Sequence, residues 1–353
     1  IMVSYDDFND GQKLALDGLL LAAGENKHPA VCLEGPPGSG KTTILQEFVR
    51  QCGKRVLFTA PTNKATRVLR KMAEEKNIDV ECLTTYQALN LRLSNDGELK
   101  EIFQKEGGES LQDVDILVID ECSMVDDVLF EKIMTEAKAH GVLVVFTGDR
   151  YQIPPVGHEI SKSFLINPKF ALEKIERVAK DNPIIEVVNM IREHIDLRQW
   201  PRFESRSNNG IGVYVVDRPT FQKYMRAGFS SDRYKHVEDT YKAIAWRNKT
   251  VLDTNYHIRE AIYGPEANNK FVMGEKVVAA APVMPKDPDS LEDRMMTDDE
   301  GNIVELSITD HPDHPNDPMK VWNLSISSYG GFVKGYVLHD DDRHKFDQKL
   351  QRM

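Results

Sequence analysis

Nine residues, Gly35-Pro-Pro-Gly-Ser-Gly-Lys-Thr-Thr43, constrain this chain more than any other stretch. They satisfy G-x-x-x-x-G-K-[ST], directly after the apolar run Ala30 to Glu34 and before a helical pattern from about Thr42 to Gln51. Glycines at this spacing let successive backbone N–H groups point inward around a phosphate, and the helix N-terminus adds positive potential. Gly35, Pro36, Pro37, Gly38, Ser39, Gly40, Lys41, Thr42 and Thr43 are therefore expected to hold a nucleotide triphosphate. In this pattern the lysine reaches the β- and γ-phosphates and the first hydroxyl, Thr42, ligates magnesium. The alternative is a glycine-rich turn in an unrelated α/β protein, which the flanking strand and helix disfavour.

The surrounding pattern agrees. Arg55 to Ala60, Asp115 to Ile119 and Val142 to Thr147 read as strands, with helical patterns over Lys64 to Lys76 and Val125 to Ala139. Strands alternating with helices of this length predict a parallel sheet covered on both faces. The polar stretch Leu91 to Gln112 interrupts the rhythm and carries an Asn95-Asp96-Gly97 turn signal, as a β-hairpin would. A boundary is expected near 170–183, then a helix over Ile184 to Arg192, a strand over Tyr241 to Trp246 and a helix over Thr250 to Tyr263 ending near Gly264. Residues 285–319 read as an exposed loop or a partly disordered insert, and Val321 to Leu338 as short strands.

Two further stretches carry chemistry. Asp115-Ile-Leu-Val-Ile-Asp-Glu121 is a buried strand ending in two adjacent carboxylates. Asp120 is placed to hold magnesium, and Glu121 to orient and deprotonate an attacking water. A hydrolase needs the second carboxylate, whereas a kinase whose acceptor is a substrate hydroxyl does not. In Phe146-Thr-Gly-Asp-Arg-Tyr-Gln-Ile-Pro-Pro155, Gln152 both donates and accepts hydrogen bonds, so it suits a γ-phosphate oxygen or the lytic water. A turn-capping glutamine is its plain alternative.

The net charge of −11 argues against a nucleic-acid partner only until its distribution is seen. Residues 285–319 hold eleven acidic side chains against Lys286 and Arg294, so the rest of the chain is near neutral and a local basic channel stays open. Cys32, Cys52, Cys82 and Cys122 stand singly, with no CxxC, which disfavours structural zinc and a disulfide framework. A reducing cytoplasm is expected, and no apolar run approaches the ~20 residues of a membrane span.

Taken together, GPPGSGKTT, VLFTAPTNKAT, LTTYQAL, ILVIDECSM and TGDRYQIPPVG resemble motifs I, Ia, Ib, II and III of superfamily 1 helicases, in order. Phe8-Asn-Asp-Gly-Gln12 resembles the upstream Q motif, Arg177-Val-Ala-Lys-Asp-Asn-Pro-Ile-Ile185 resembles motif IV, and Ala245-Trp-Arg-Asn-Lys-Thr-Val251 resembles the motif after it. The likeness is to the RecD-like 1B branch. It implies an α/β P-loop NTPase with two RecA-like parallel-sheet domains and small β-rich inserted domains. Residues 1–175 would form the first RecA-like domain with a strand-separating pin at 91–112, 176–283 the start of the second, and 284–353 an incomplete inserted domain.

The resemblance also implies roles. Lys41, Glu121, Gln152 and Arg177 would be catalytic, Arg177 as an arginine finger arriving when the cleft closes. Gln12 would read the adenine edge of ATP. Thr62, Asn63, Lys64, Thr84, Thr85, Tyr86 and Asn248 would touch single-stranded DNA, with Tyr86 or Trp246 stacking on a base or, alternatively, packing in the core. Phe103 would be the wedge of the pin, or an anchor holding it down. The expected activity is ATP- and Mg2+-dependent 5′-to-3′ translocation and unwinding at a DNA fork by a monomer, phage-encoded and acting in replication in the host cytoplasm, with a single-strand-binding protein as possible company. Rival readings are another P-loop phosphotransferase and a nucleic-acid-binding adaptor retaining the fold. Two later family motifs, resembling TFHKAQG and YVGVTRGR, do not occur here, so a longer native protein is expected.

Overall fold

The computed structural model describes residues 5–25, 27–93, 99–101, 111–173, 182–237, 240–280, 283, 295–297, 299–312, 319–328 and 331–342. By contacts the chain divides into two compact units, Ile1–Tyr214 and Val215–Met353.

The first unit opens with helix α1 (Asp10–Glu25). Then follow β1 (Ala30–Glu34), α2 (Lys41–Cys52), β2 (Val56–Ala60), α3 (Asn63–Glu75), β3 (Glu81–Thr84) and the short α4 (Thr85–Ala88). A small antiparallel pair, β4 (Leu91–Leu93) and β5 (Leu99–Glu101), bears out the expected hairpin, while its turn and Phe103 lie outside the described residues. Next come β6 (Ile116–Ile119), α5 (Asp127–His140), β7 (Leu143–Gly148), β8 (Lys169–Ala171), α6 (Pro183–Asp196), β9 (Arg206–Asn208) and β10 (Ile211–Val213).

Six of these strands form one sheet in the order β3-β2-β6-β7-β1-β8, every pair parallel. Of the interior strands, β1, β6 and β7 are buried along their whole length, as a sheet covered on both faces requires. Alternate residues serve opposite cores. Val31, Leu33, Val118 and Val145 pack with Leu16 and Leu19 of α1 and with Ile44 and Phe48 of α2. Cys32, Leu117, Ile119, Val144 and Phe146 pack on the other face with Leu129 and Ile133 of α5 and with Phe164. All four cysteines are free.

The register decides where the site forms. Glu34 pairs with Gly148, and Ile119 with Phe146, so the loops after β1, β6 and β7 leave one edge of the sheet side by side. That edge is the carboxyl end, where α/β sheets bind ligands.

The second unit holds α7 (Arg218–Phe229), α8 (Asp232–His236) and α9 (Asn248–Tyr263), then an antiparallel sheet of β11 (Lys276–Val278), β12 (Glu300–Asp310), β13 (Lys320–Ser328) and β14 (Gly331–Leu338). Met225, Phe229 and Ile258 knit the helices. Met295, Ile303, Leu324, Ile326 and Val333 fill the sheet's core. Arg259 staples the turn after α9, pairing with Glu275 and donating to the carbonyls of Ala267 and Asn269 at 3.0 and 2.8 Å.

Several expectations are corrected. Tyr241 to Trp246 is not a strand: Ile244 and Trp246 are 93% and 96% exposed and no described strand pairs with them. Exposure this complete also removes core packing as a reading of Trp246. The acidic stretch 285–319 is not a loop throughout, because Glu300–Asp310 forms the long strand β12 between β11 and β13, with Ile303 turned into the core. Helix α6 falls within the first unit, Ile1–Tyr214. Among the described residues the only parallel sheet is that of the first unit, so the second sheet implied by the resemblance has no counterpart there.

Candidate nucleotide-binding site

The phosphate loop is built as its glycines demand. Gly38 and Gly40 adopt left-handed φ of 82° and 93°, costly for any residue with a Cβ. A Cβ at Gly40 would also come within 2.4 Å of Gln12 Nε2. The loop is anchored at its start, where Gly35 N–H donates to the Gly148 carbonyl at 3.0 Å, and α2 begins at once, with Ile44 N–H donating to Gly40 at 3.0 Å.

Lys41 stands at the first position of α2, half-buried, its ammonium donating to the carbonyls of Gly35 (2.6 Å) and Pro36 (3.0 Å). Burial pulls its pKa down, and the nearby charges of Asp120, Asp149 and Glu121 oppose that pull. A cation wrapped by its own loop and neighboured by three carboxylates suits a polyanion entering the loop. The buried Ser39 hydroxyl has no hydrogen-bond partner among the described residues, a second sign of a loop shaped for a ligand.

Across the edge, Asp120 N–H donates to the Thr59 carbonyl at 2.8 Å, fixing the end of β6 against β2. The carboxyl of Asp120 is pushed up to about 6, first by burial and second by the charge of Glu121; the Glu121 N–H and Lys41 pull the other way. Glu121 itself takes a left-handed φ of 52°, which turns the chain sharply after the strand. A carboxylate this reluctant to ionise next to another carboxylate is what a divalent cation relieves, and Thr42 in the first turn of α2 adds the hydroxyl donor that such an ion takes. The donor set of Asp120 and Thr42 fits a hard cation with water completing its shell.

The third loop, after β7, carries Gln152, whose N–H donates to the Asp149 carbonyl at 3.0 Å. Gln12 does something the resemblance does not imply. Its Nε2 donates to the Ser39 carbonyl at 3.0 Å, its Oε1 accepts the Asn9 N–H at 3.0 Å, and its own N–H donates to Asn9 Oδ1 at 2.9 Å. It both caps α1 and braces the phosphate loop. The motifs alone do not single out Asp149 and Tyr151, which share the loop of Gln152, or Arg192, which contacts both of them; a carboxylate directly after a buried strand was a readable signal for Asp149, and nothing local marks Arg192.

The expected nucleic-acid residues divide. Thr62 Oγ1 caps α3 by accepting the Ala65 N–H at 3.2 Å, and Thr84 Oγ1 caps α4 by accepting the Gln87 N–H at 3.1 Å. Thr85 is fully buried with its hydroxyl 3.3 Å from that of Thr59, and Tyr86, half-buried, packs against the core. Lys64 and Trp246 are exposed, Asn63 is half-exposed, and Asn248 opens α9. Arg177 lies outside the described residues. Among them no helix is long and apolar enough to cross a membrane.

A parallel sheet whose β1 runs into a glycine-rich phosphate loop and whose β6 ends in paired carboxylates defines a RecA-like P-loop nucleotide-binding domain. The chain belongs to the AAA domain family, which matches residues 7–204. It is 28% identical over 292 residues to the ATP-dependent DNA helicase dda of Enterobacteria phage T4, covering 80% of this chain and 63% of that protein. It is 26% identical over 220 residues to the RecBCD enzyme subunit RecD of Buchnera aphidicola, covering 54% of this chain and 35% of that one. The chain thus spans less than two thirds of the curated relatives it matches. Among solved structures, one of two coordinating Pif1 helicases at forked double-stranded DNA aligns over 93% of this chain and 75% of its own, at 16% identity and a TM-score of 0.49.

Proposed function

We propose that this chain is the nucleotide-hydrolysing part of an ATP-dependent helicase that travels on single-stranded DNA, 5′ to 3′, and opens a fork. One observation carries the reading: Lys41, the Asp120–Glu121 pair and the Asp149–Gln152 loop converge on one edge of one sheet, from the ends of β1, β6 and β7. Lys41 would give up its loop carbonyls for the β- and γ-phosphates of ATP. Thr42 and Asp120 would hold Mg2+, which neutralises phosphate charge when bound. Glu121 would take the proton of the attacking water, and Gln152 would touch the γ-phosphate or that water. The paired carboxylates support hydrolysis over transfer to another substrate.

DNA as the track is supported by the likeness to the ATP-dependent DNA helicase of phage T4 and by the almost wholly exposed Trp246, a ring free to stack on a base. Asn63, Lys64 and Asn248 are the remaining polar contacts of that reading, and Arg177 keeps its finger role on motif likeness alone. The organisation into RecA-like and inserted domains, the monomeric state and a single-strand-binding partner belong to the same proposal. The test is ATP hydrolysis by the full-length protein with and without single-stranded DNA. Strong stimulation is expected; equal rates would refute a DNA motor while leaving a nucleotide-binding domain.

A further inference from the structure

Asp149 follows the end of β7 and is only 2% exposed. A carboxylate buried this deeply must be paired. Its partner comes from outside the recognised motifs: Arg192 Nη1 on α6 donates to Asp149 Oδ1 at 2.8 Å and Oδ2 at 2.7 Å. The same guanidinium lies 4.0 Å from the centre of the Tyr151 ring. One turn further along α6, Asp196 accepts the Tyr151 hydroxyl at 2.5 Å and sits 3.5 Å from Arg150. Three consecutive residues of the loop are thus gripped by two residues of one helix.

Inside the loop the grip passes to Gln152. Asp149 Oδ1 accepts the Tyr151 N–H at 3.1 Å, and the Asp149 carbonyl accepts the Gln152 N–H. A planar guanidinium that is ion-paired at its edge and stacked on its face has one orientation, so it fixes what it holds. Asp149 also bears on Lys41 by its charge, so the state of this pair is felt at the phosphate loop.

We propose that Arg192 is a positioning residue for hydrolysis: through Asp149 and Tyr151 it sets the turn that presents Gln152 to the phosphate site, and it cancels a carboxylate that would otherwise repel an incoming triphosphate. The proposal rests on the reading of this site as an ATPase. It makes α6 part of the hydrolytic apparatus through its hold on the loop of Gln152.

The test compares Arg192→Met, Arg192→Lys and the pair Asp149→Asn/Arg192→Met in the full-length protein, by steady-state ATP turnover, titration with a fluorescent ATP analogue, and thermal melting. Arg192→Met strands a buried charge, so a lower melting temperature accompanies a fall in kcat of about 10- to 100-fold, the usual result of displacing a catalytic group by about 1 Å. Arg192→Lys keeps the charge but not the planar group stacked on Tyr151, and falls between. The double variant has no stranded charge but also no tether: melting recovers, nucleotide affinity recovers, and kcat does not. Recovery of kcat together with melting would show a purely structural pair and overturn the proposal, as would an unchanged kcat in Arg192→Met. A wild-type protein without ATP turnover would instead overturn the ATPase reading on which it rests.

Discussion

Asp120→Asn is expected to make the nucleotide-free protein more stable while disabling it. The carboxyl of Asp120 is raised from an ordinary 3.8 to about 6, chiefly by burial and by Glu121 beside it. For an acid whose folded pKa is raised, the protein is penalised when the group ionises: the penalty is absent below the unfolded value and complete above the folded one. Full weight would put it at about 3 kcal/mol at pH 7.5 and about half that at pH 5, and water reaching the half-buried group brings the upper figure to about 1–3 kcal/mol. Asparagine is of the same size and never ionises. In magnesium-free buffer the variant is therefore expected to melt about 3–10 °C above wild type at pH 7.5, with the gap shrinking by about half at pH 5. Differential scanning calorimetry of both proteins at both pH values reads this directly. A variant that melts at or below wild type at pH 7.5, or a gap that does not change with pH, would refute the electrostatic account. The companion measurement is magnesium affinity in the wild type: protons compete with the cation below about pH 6, so binding weakens as pH falls through that value.

Other outcomes follow from the same geometry. Glu121→Gln is expected to bind ATP as wild type does and to lose about 100- to 10,000-fold in turnover, and normal turnover would overturn its role as base. Gly40→Ala places a Cβ at a φ of 93° and 2.4 Å from Gln12 Nε2, so it costs about 1–2 kcal/mol in strain and raises the KM for ATP. Gly53→Ala, at a φ of 60° with open space around it, is its control and should cost strain without touching KM. Trp246→Ala removes an almost wholly exposed ring, so melting should stay within about 0.5 kcal/mol of wild type. Affinity for single-stranded DNA, measured by fluorescence anisotropy, should fall by about 1–3 kcal/mol, and an unchanged affinity would remove Trp246 from the DNA track.

Much of the first unit was legible residue by residue, because its signals are local. The apolar runs of β1, β6 and β7 and the glycines of the phosphate loop each follow from a few neighbouring residues, and the observed bounds differ from the expected ones by a residue or two. Helix α1, not among the expected elements, carries a signal of the same kind in Ala15, Leu16, Leu19, Ala22 and Ala23, whose helical spacing places them on one buried face. Tyr241 to Trp246 misled because β-rich composition makes a strand only where another strand supplies hydrogen bonds. Residues 300–310 misled in the opposite way, since the acidic surroundings masked a strand paired on both sides.

The chain's own order of residues determined that a phosphate loop, paired carboxylates and a glutamine loop exist, since each is a short pattern with a fixed chemical use. Only the tertiary structure decided what supports them. Parallel register brings the loops after Glu34, Ile119 and Gly148 to one edge, Gln12 braces the phosphate loop, and Arg192 reaches Asp149 across 43 positions of sequence. Such pairings depend on how helices seat on a sheet, and that seating is settled by the packing of both cores at once, which no local window of residues contains.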